Sequence, residues 1–300
     1  MSGSSDTTVR RRRVFHIPGF DPTPPRRFRE FYRKQGAAQA RISSYCLELT
    51  AKPGGGRHGW HVRAEIEGAQ VEADFDVLVW SDLVRDSMAQ GILGTYFQLA
   101  RTAWVYIASG ALFRLMRLRK GPVIAALYPV GFLLIQLGLA LLLAWGLGRL
   151  LALIHPWAFW AGLIVVPGVL EWFRRRDNRF FAYYLMHDYA YTARHRGAEP
   201  PELRARMAEF TDEIAAALEG DTDEVLVVGH SSGAHLAVSV LADLIRSGRV
   251  PRNGPALAFL SLGQVVPMVS FLPDAHRLRA DLGYLRTRDE LTWVDVTAPG

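Results

Sequence analysis

Apolar and polar positions change period several times along the chain, and each change predicts an element. Residues 13–20 form a short apolar run ending in Pro18-Gly19, a strand with a turn behind it. From 26 to 38, Phe28, Phe31 and Tyr32 recur at i, i+3 and i+4, the spacing of an amphipathic helix. Segments 43–51, 60–67 and 71–80 show alternation or β-branched and aromatic content, separated by Gly54-Gly55-Gly56 and Gly68, and predict three strands. Ser81 and Asp82 stand at a helix N-cap ahead of Leu83, Val84 and Met88, and capping outweighs a catalytic role for Asp82. Much later, Pro200-Pro201 opens a helix that runs through Leu218 and closes at Gly220. A strand over 224–229 follows, then a helix from Ser232 to Ser247 with Leu236, Val240, Leu241 and Leu244 on one face. Residues 256–262 and 291–297 read as two more strands. Strands alternating with helices predict an α/β fold built on a mostly parallel, doubly wound sheet.

The middle of the chain breaks this pattern. Residues 121–148 are 28 consecutive positions without a formal charge, and 150–170 add 21 more interrupted only by His155. At about 1.5 Å per residue either run can cross a hydrocarbon core of roughly 30 Å. Two helices are expected, 123–148 and 156–173, forming a transmembrane hairpin inserted in the sheet. Arg114, Arg117, Arg119 and Lys120 precede it and Arg174, Arg175, Arg176 and Arg179 follow it, so the positive-inside rule puts both flanks and both termini in the cytoplasm. The competing readings are an apolar cap buried in a soluble protein and a re-entrant pair. Two neighbouring stretches, 89–113 and the aromatic cluster Phe180, Phe181, Tyr183, Tyr184, Tyr189 and Tyr191, fit interfacial helices and ordinary core faces equally well.

Composition supports a membrane part. Of 300 residues, 50% are hydrophobic and 21% charged, which excludes a disordered chain. The excess of 35 Lys and Arg over 29 Asp and Glu is concentrated at 10–13, 26–29, 114–120 and 174–179, and points to anionic membrane lipid rather than nucleic acid. A lone Cys46 excludes an intramolecular disulfide and fits a reducing compartment. Residues 1–20 carry no apolar run that would make a secretory signal, and 1–9 read as a disordered N-terminus. His58 and His61, on a glycine-rich turn expected to be exposed, lack further ligands, so no metal is expected. Neither a Walker A nor a dinucleotide glycine pattern occurs, and no cofactor is expected.

The chemistry is concentrated at Gly229-His230-Ser231-Ser232-Gly233, a G-x-S-x-G pattern with an apolar strand before it and an amphipathic helix after it. A serine on so tight a strand-to-helix turn projects its Oγ above the sheet, and the positions two before and two after must be small for the chain to pack that closely. Ser231 is the candidate nucleophile, and the backbone N–H of Ser232 faces a developing oxyanion from the helix N-terminus.

The stretch 225–241, VLVVGHSSGAHLAVSVL, resembles the nucleophile elbow of the α/β-hydrolase superfamily, in particular its lipase- and esterase-like members. His16-Ile17-Pro18-Gly19-Phe20 is similar to that superfamily's oxyanion loop. The resemblance covers roughly 13–52 and 222–300, and implies that Phe20 supplies the second oxyanion N–H through its main chain, with His16 and His230 lining the substrate site. It also implies an acid at the end of a later strand and a histidine beyond it. Here the pattern departs from the family. His235 lies on the helix after the elbow, and His276 comes before the expected acid. Asp295, midway along the last strand, is the candidate acid; Asp274, Asp281 and Asp289 read as surface or capping residues. His187-Asp188 are neighbours on one helix and cannot face each other. The base is expected beyond Gly300, in a chain that reads as truncated. The division expected is 10–113 and 180–300 for the two parts of the hydrolase domain and 114–179 for the hairpin with its basic flanks. The function implied is a membrane-anchored serine hydrolase acting on an ester or other acyl substrate, hydrophobic or lipid-like; the alternative is a noncatalytic hydrolase-like membrane scaffold. A transporter is disfavoured, because neither helix holds a carboxylate before Glu171.

Overall fold

A computed structural model describes residues 9–52, 58–88, 90–118 and 120–297. The glycine run 54–56, Arg119, Gly300 and nearly all of the stretch 1–9 lie outside the described residues. In chain order the elements are β1 (Arg11–Ile17), α1 (Pro25–Ile42), β2 (Cys46–Thr50), β3 (Gly59–Ile66), β4 (Ala69–Val77), α2 (Ser81–Met88), α3 (Ile92–Ala108), α4 (Ala111–Leu118) and α5 (Lys120–Leu151). A 3₁₀ helix (Pro156–Ile164) leads into α6 (Val165–Arg175), α7 (Asp177–Phe180), α8 (Ala182–Arg194) and α9 (Pro201–Leu218). Then come β5 (Glu224–His230), α10 (Ser232–Arg246), β6 (Ala256–Leu262), α11 (Val266–Ser270), α12 (His276–Leu285) and β7 (Thr292–Val296). The chain forms two compact units. Among the described residues, one holds those up to Arg85, Glu199–Ser270 and those from Ala275 on; the other holds those of Asp86–Ala198 with Phe271–Asp274.

The first unit is α/β, around a seven-stranded sheet in the order β2-β3-β4-β1-β5-β6-β7. The strands β2, β3 and β4 pair antiparallel and everything from β4 onward pairs parallel. Register sets Phe15, Val227 and Phe259 side by side on one face, each at most 1% exposed, where α10 packs with α9 and α12 beside it. Along β5 and β6 this face is buried, while the residues that alternate with it on the other face, among them Leu226 and Val228, are half-buried. On the other face α1 lays Phe28 and Tyr32 on Trp60, Val62 and Val77. Phe31, expected in the same row, points outward and is 55% exposed. All five residues of β7, the last strand of the sheet among the described residues, are exposed.

Two expectations about polar side chains are corrected here. Asp281, read as a surface or capping residue, is 1% exposed and bridges Arg246 and Arg277, whose guanidiniums also reach Asp243 and Glu199. Its i, i+4 partner on α12 and the packing of α12 on α10 draw it inside. His61 sits in β3 rather than on a turn, with its ring on the Asp74 carboxylate at 2.8 Å, and is largely covered. Asp274 and Asp289 are exposed, Asp274 paired with Arg196.

The second unit contains two helices long and apolar enough to cross a membrane, Leu127–Leu151 and Pro156–Arg175. At about 1.5 Å per α residue and about 2.0 Å per 3₁₀ residue they span roughly 37 and 34 Å. The expected second helix, 156–173, is not uniform, because its first nine residues wind as 3₁₀. Gly162 explains why the two helices lie so close there: a Cβ on it would overlap the Ala144 carbonyl and come 2.7 Å from the Gly148 nitrogen. The tighter winding stacks Trp157, Trp160 and Leu163 at i, i+3 and i+6 on one outward ridge. Along α5 the buried seam is narrow, Leu133, Gln136, Ala140 and Ala144, while Ile135, Leu142 and Trp145 are more than half exposed. Small residues at such a seam are what lets apolar helices approach without a hydrophobic drive between them. At the base, Leu133 joins Leu99, Ala182, Tyr183, Met186 and Ala190 in one cluster, so the aromatic stretch on α8 is largely a core face.

Candidate active site

Ser231 sits between β5 and α10 at φ 53° and ψ −119°, a conformation that a side chain makes costly. Three backbone contacts hold it there. Its N–H donates to the Leu262 carbonyl at 2.9 Å, its own carbonyl accepts from Ala234 N–H at 3.1 Å, and β5 is locked between β1 and β6. The two glycines of the motif have separate jobs. A Cβ on Gly229 would lie 2.7 Å from Ala234 Cα, so the start of α10 presses on the end of β5. A Cβ on Gly233 would overlap the Ile17 carbonyl oxygen and fall 2.5 Å from that of Pro18, so α10 is pressed equally hard on the end of β1.

The loop 18–20 is thereby brought over the serine. A Cβ on Gly19 would be 3.1 Å from Ser231 Cβ and 3.6 Å from Oγ. The loop is anchored by Trp80, whose indole N–H donates to the Pro18 carbonyl at 2.9 Å and whose ring meets Phe20 edge-on at 6.0 Å. Phe20 and Ser232 are both buried, flanking the half-buried Ser231. Thus the two segments singled out in the sequence, 16–20 and 229–233, meet at one point. Ser231 Oγ has no hydrogen-bond partner among the described residues.

His16 is on β1 with its ring edge-on to Phe28 at 5.5 Å; burial, reinforced by the charge of His230, holds its pKa down at about 4, so it is neutral at neutral pH. His230 is at the surface end of β5, its pKa lowered by the part of the ring withdrawn from water and pulled back up by Asp21. His235 is enclosed in the core on α10, and burial lowers its pKa to about 4. His276 is exposed on α12 beside Arg279. No histidine or carboxylate is hydrogen-bonded to Ser231 among the described residues.

Asp295 is level with Ser261 and Gly229 in the register, two residues short of Ser231, and its carboxylate accepts from the buried Ser261 hydroxyl at 2.5 Å. Trp293 N–H donates to the same hydroxyl. Asp82, in the first turn of α2, is clamped by the Arg206 guanidinium, which holds its carboxyl at about 2. Sequence reasoning missed Asp21, whose carboxylate accepts from Thr23 N–H at 2.7 Å in a turn beside His230; an acid two residues after Gly19 was the available signal. It also missed Trp80 as the loop's anchor. Among the described residues no three His, Cys, Asp or Glu side chains form a metal-binding group. No family model, curated protein or solved structure matches the chain.

Proposed function

We propose that the chain is a membrane-anchored serine hydrolase of α/β-hydrolase type, with Ser231 as nucleophile and an ester or other acyl compound as substrate. The observation that carries this reading is the strained serine between a buried parallel strand and a helix, with the loop 18–20 laid over it. Strain of about 1–3 kcal/mol at a single residue is retained where the position serves chemistry. In the proposed reaction Oγ attacks the acyl carbon, its proton passes to a base, and a tetrahedral oxyanion forms beside the amides of Phe20 and Ser232. Collapse expels the leaving group, which takes that proton from the base, and leaves an acyl-serine that water then hydrolyses to the free acid and the serine.

The apolar hairpin is the proposed anchor, with its arginine-rich base on the cytoplasmic side and its tip, carrying Arg149 and His155, opposite. A hydrophobic acyl substrate then partitions into the bilayer to which the enzyme is tethered. The test is labelling of membrane fractions with a fluorophosphonate probe. Label on the wild type that disappears in Ser231→Ala supports the reading, and label that persists removes Ser231 as nucleophile.

A second reading, a noncatalytic scaffold that keeps the sheet as a binding platform, is favoured by two observations: among the described residues Ser231 Oγ is bonded to no base, and Asp295 is engaged by Ser261. A folded wild-type protein that takes no label supports it.

A further inference from the structure

The helix α3 is built inside out. At about 100° per residue, Thr95, Leu99, Thr102 and Tyr106 share one face and are buried at 8% exposure or less. Opposite lie Leu93, Phe97 and Trp104, exposed at 88, 72 and 72%, with Ile107, 50% exposed, on the flank. The inner face also carries the polar contacts: Gln98 bonds the His187 ring at 2.9 Å, and Tyr96 O–H donates to the Leu133 carbonyl at 2.9 Å. A helix packed against water would reverse this arrangement. After Ser109 and Gly110, at φ +72°, α4 continues the trend with Phe113 and Leu118 exposed at 60 and 57%.

Charge identifies what covers this face. Between Asp86 and Glu171 the chain contains no carboxylate at all, while Arg101, Arg114 and Arg117 are exposed on α3 and α4. Such a surface attracts anions and repels none of them. At 17 residues α3 is roughly 25 Å long, too short to cross comfortably, and a crossing would bury Arg101 at its middle. Lying flat, it sinks the Leu, Phe, Trp and Ile stripe among acyl chains and leaves Arg101, at the stripe's edge, among headgroups.

We propose that α3 lies in the plane of an anionic phospholipid bilayer, its outer face embedded at the interface, as a third membrane-contacting element besides the hairpin. The proposal rests on the membrane reading of the hairpin. It is tested by nitroxide labels in full-length protein reconstituted in phosphatidylcholine–phosphatidylglycerol vesicles, using Phe97→Cys, Trp104→Cys and the hairpin variant Leu142→Cys, each in a Cys46→Ser background. Collision with oxygen several-fold above collision with a water-soluble nickel chelate at all three positions is the expected result. Chelate access at 97 and 104 with lipid exposure at 142 overturns the proposal and leaves the hairpin intact. Protection from both reagents at 97 and 104 means that a second copy covers the face, and overturns it as well. Chelate access at 142 removes the hairpin reading together with this one.

Discussion

Replacing Ser231 by glycine and by alanine separates the backbone of the turn from its hydroxyl. Alanine keeps a Cβ at φ 53° and ψ −119° and removes an Oγ that has no hydrogen-bond partner among the described residues, so it leaves stability within about 0.5 kcal/mol of wild type. Glycine relieves the strain, worth about 1–3 kcal/mol, and gives back about 0.5–1 kcal/mol through the freer unfolded chain. The Gly variant is therefore more stable than the Ala variant by about 1 kcal/mol, or roughly 2–4 °C in melting temperature for a unit of this size. Both lose fluorophosphonate label entirely. The assay is thermal unfolding of the detergent-solubilised protein, scanned identically for both variants. A Gly variant that melts at or below the Ala variant refutes the claim that residue 231 is held under strain, and with it the reason for calling it a nucleophile.

Four further outcomes follow from the same geometry. Gly233→Ala forces its Cβ onto the Ile17 and Pro18 carbonyls, neither of which can yield without parting β1 from α10, and costs about 3 kcal/mol, read from denaturant unfolding. Gly19→Ala needs only a few tenths of an ångström, so it folds, but its methyl stands beside Ser231 Oγ and slows probe labelling by at least about tenfold. His16 and His235, each with a folded pKa near 4 and an ordinary unfolded value of about 6.5, take up protons on unfolding between those limits. Their contribution is present above about pH 6.5 and is lost as pH falls toward 4, by up to about 1.4 kcal/mol per pH unit for each; His235→Gln flattens that slope in unfolding measured against pH. Arg277→Met removes the guanidinium partner of the largely buried Glu199, leaving it the Ser239 hydroxyl alone while Asp281 keeps Arg246, and destabilises by about 3 kcal/mol, again by denaturant unfolding.

What the sequence made legible was local. The Pro200-Pro201 start and Gly220 stop bracket α9 as it stands, and the strand on one side of Gly229 and helix on the other announced the serine turn. The meeting of 16–20 with 229–233 was open to inference only through resemblance, because it depends on β1 pairing with a strand two hundred residues away. Asp295 and Asp281 were misjudged or left open for the same reason: Ser261 reaches one through strand register, and Arg246 reaches the other through helix packing. The 3₁₀ winding near Gly162 had no sequence mark, since it follows from how closely α5 approaches. The stretch containing α3 could be read two ways because its hydrophobic residues populate both faces, and only solvent exposure shows that Leu99 and Tyr106 are inside while Leu93, Phe97 and Trp104 are outside.

The pairing of β1 with β5 joins residues 212 positions apart, with Asp86–Ala198 of the apolar unit between them. During synthesis at about 5–20 residues per second, β1 waits roughly 10–40 s for its neighbour. In that interval Gly19 has no serine beneath it and Ser231 has not been made. Closure of so long a loop is slow and entropically costly unless the intervening chain is already settled. Settling of the intervening helices before β5 emerges would shorten the search, so the turn at Ser231 and the loop over it come together late, once the chain between them has folded.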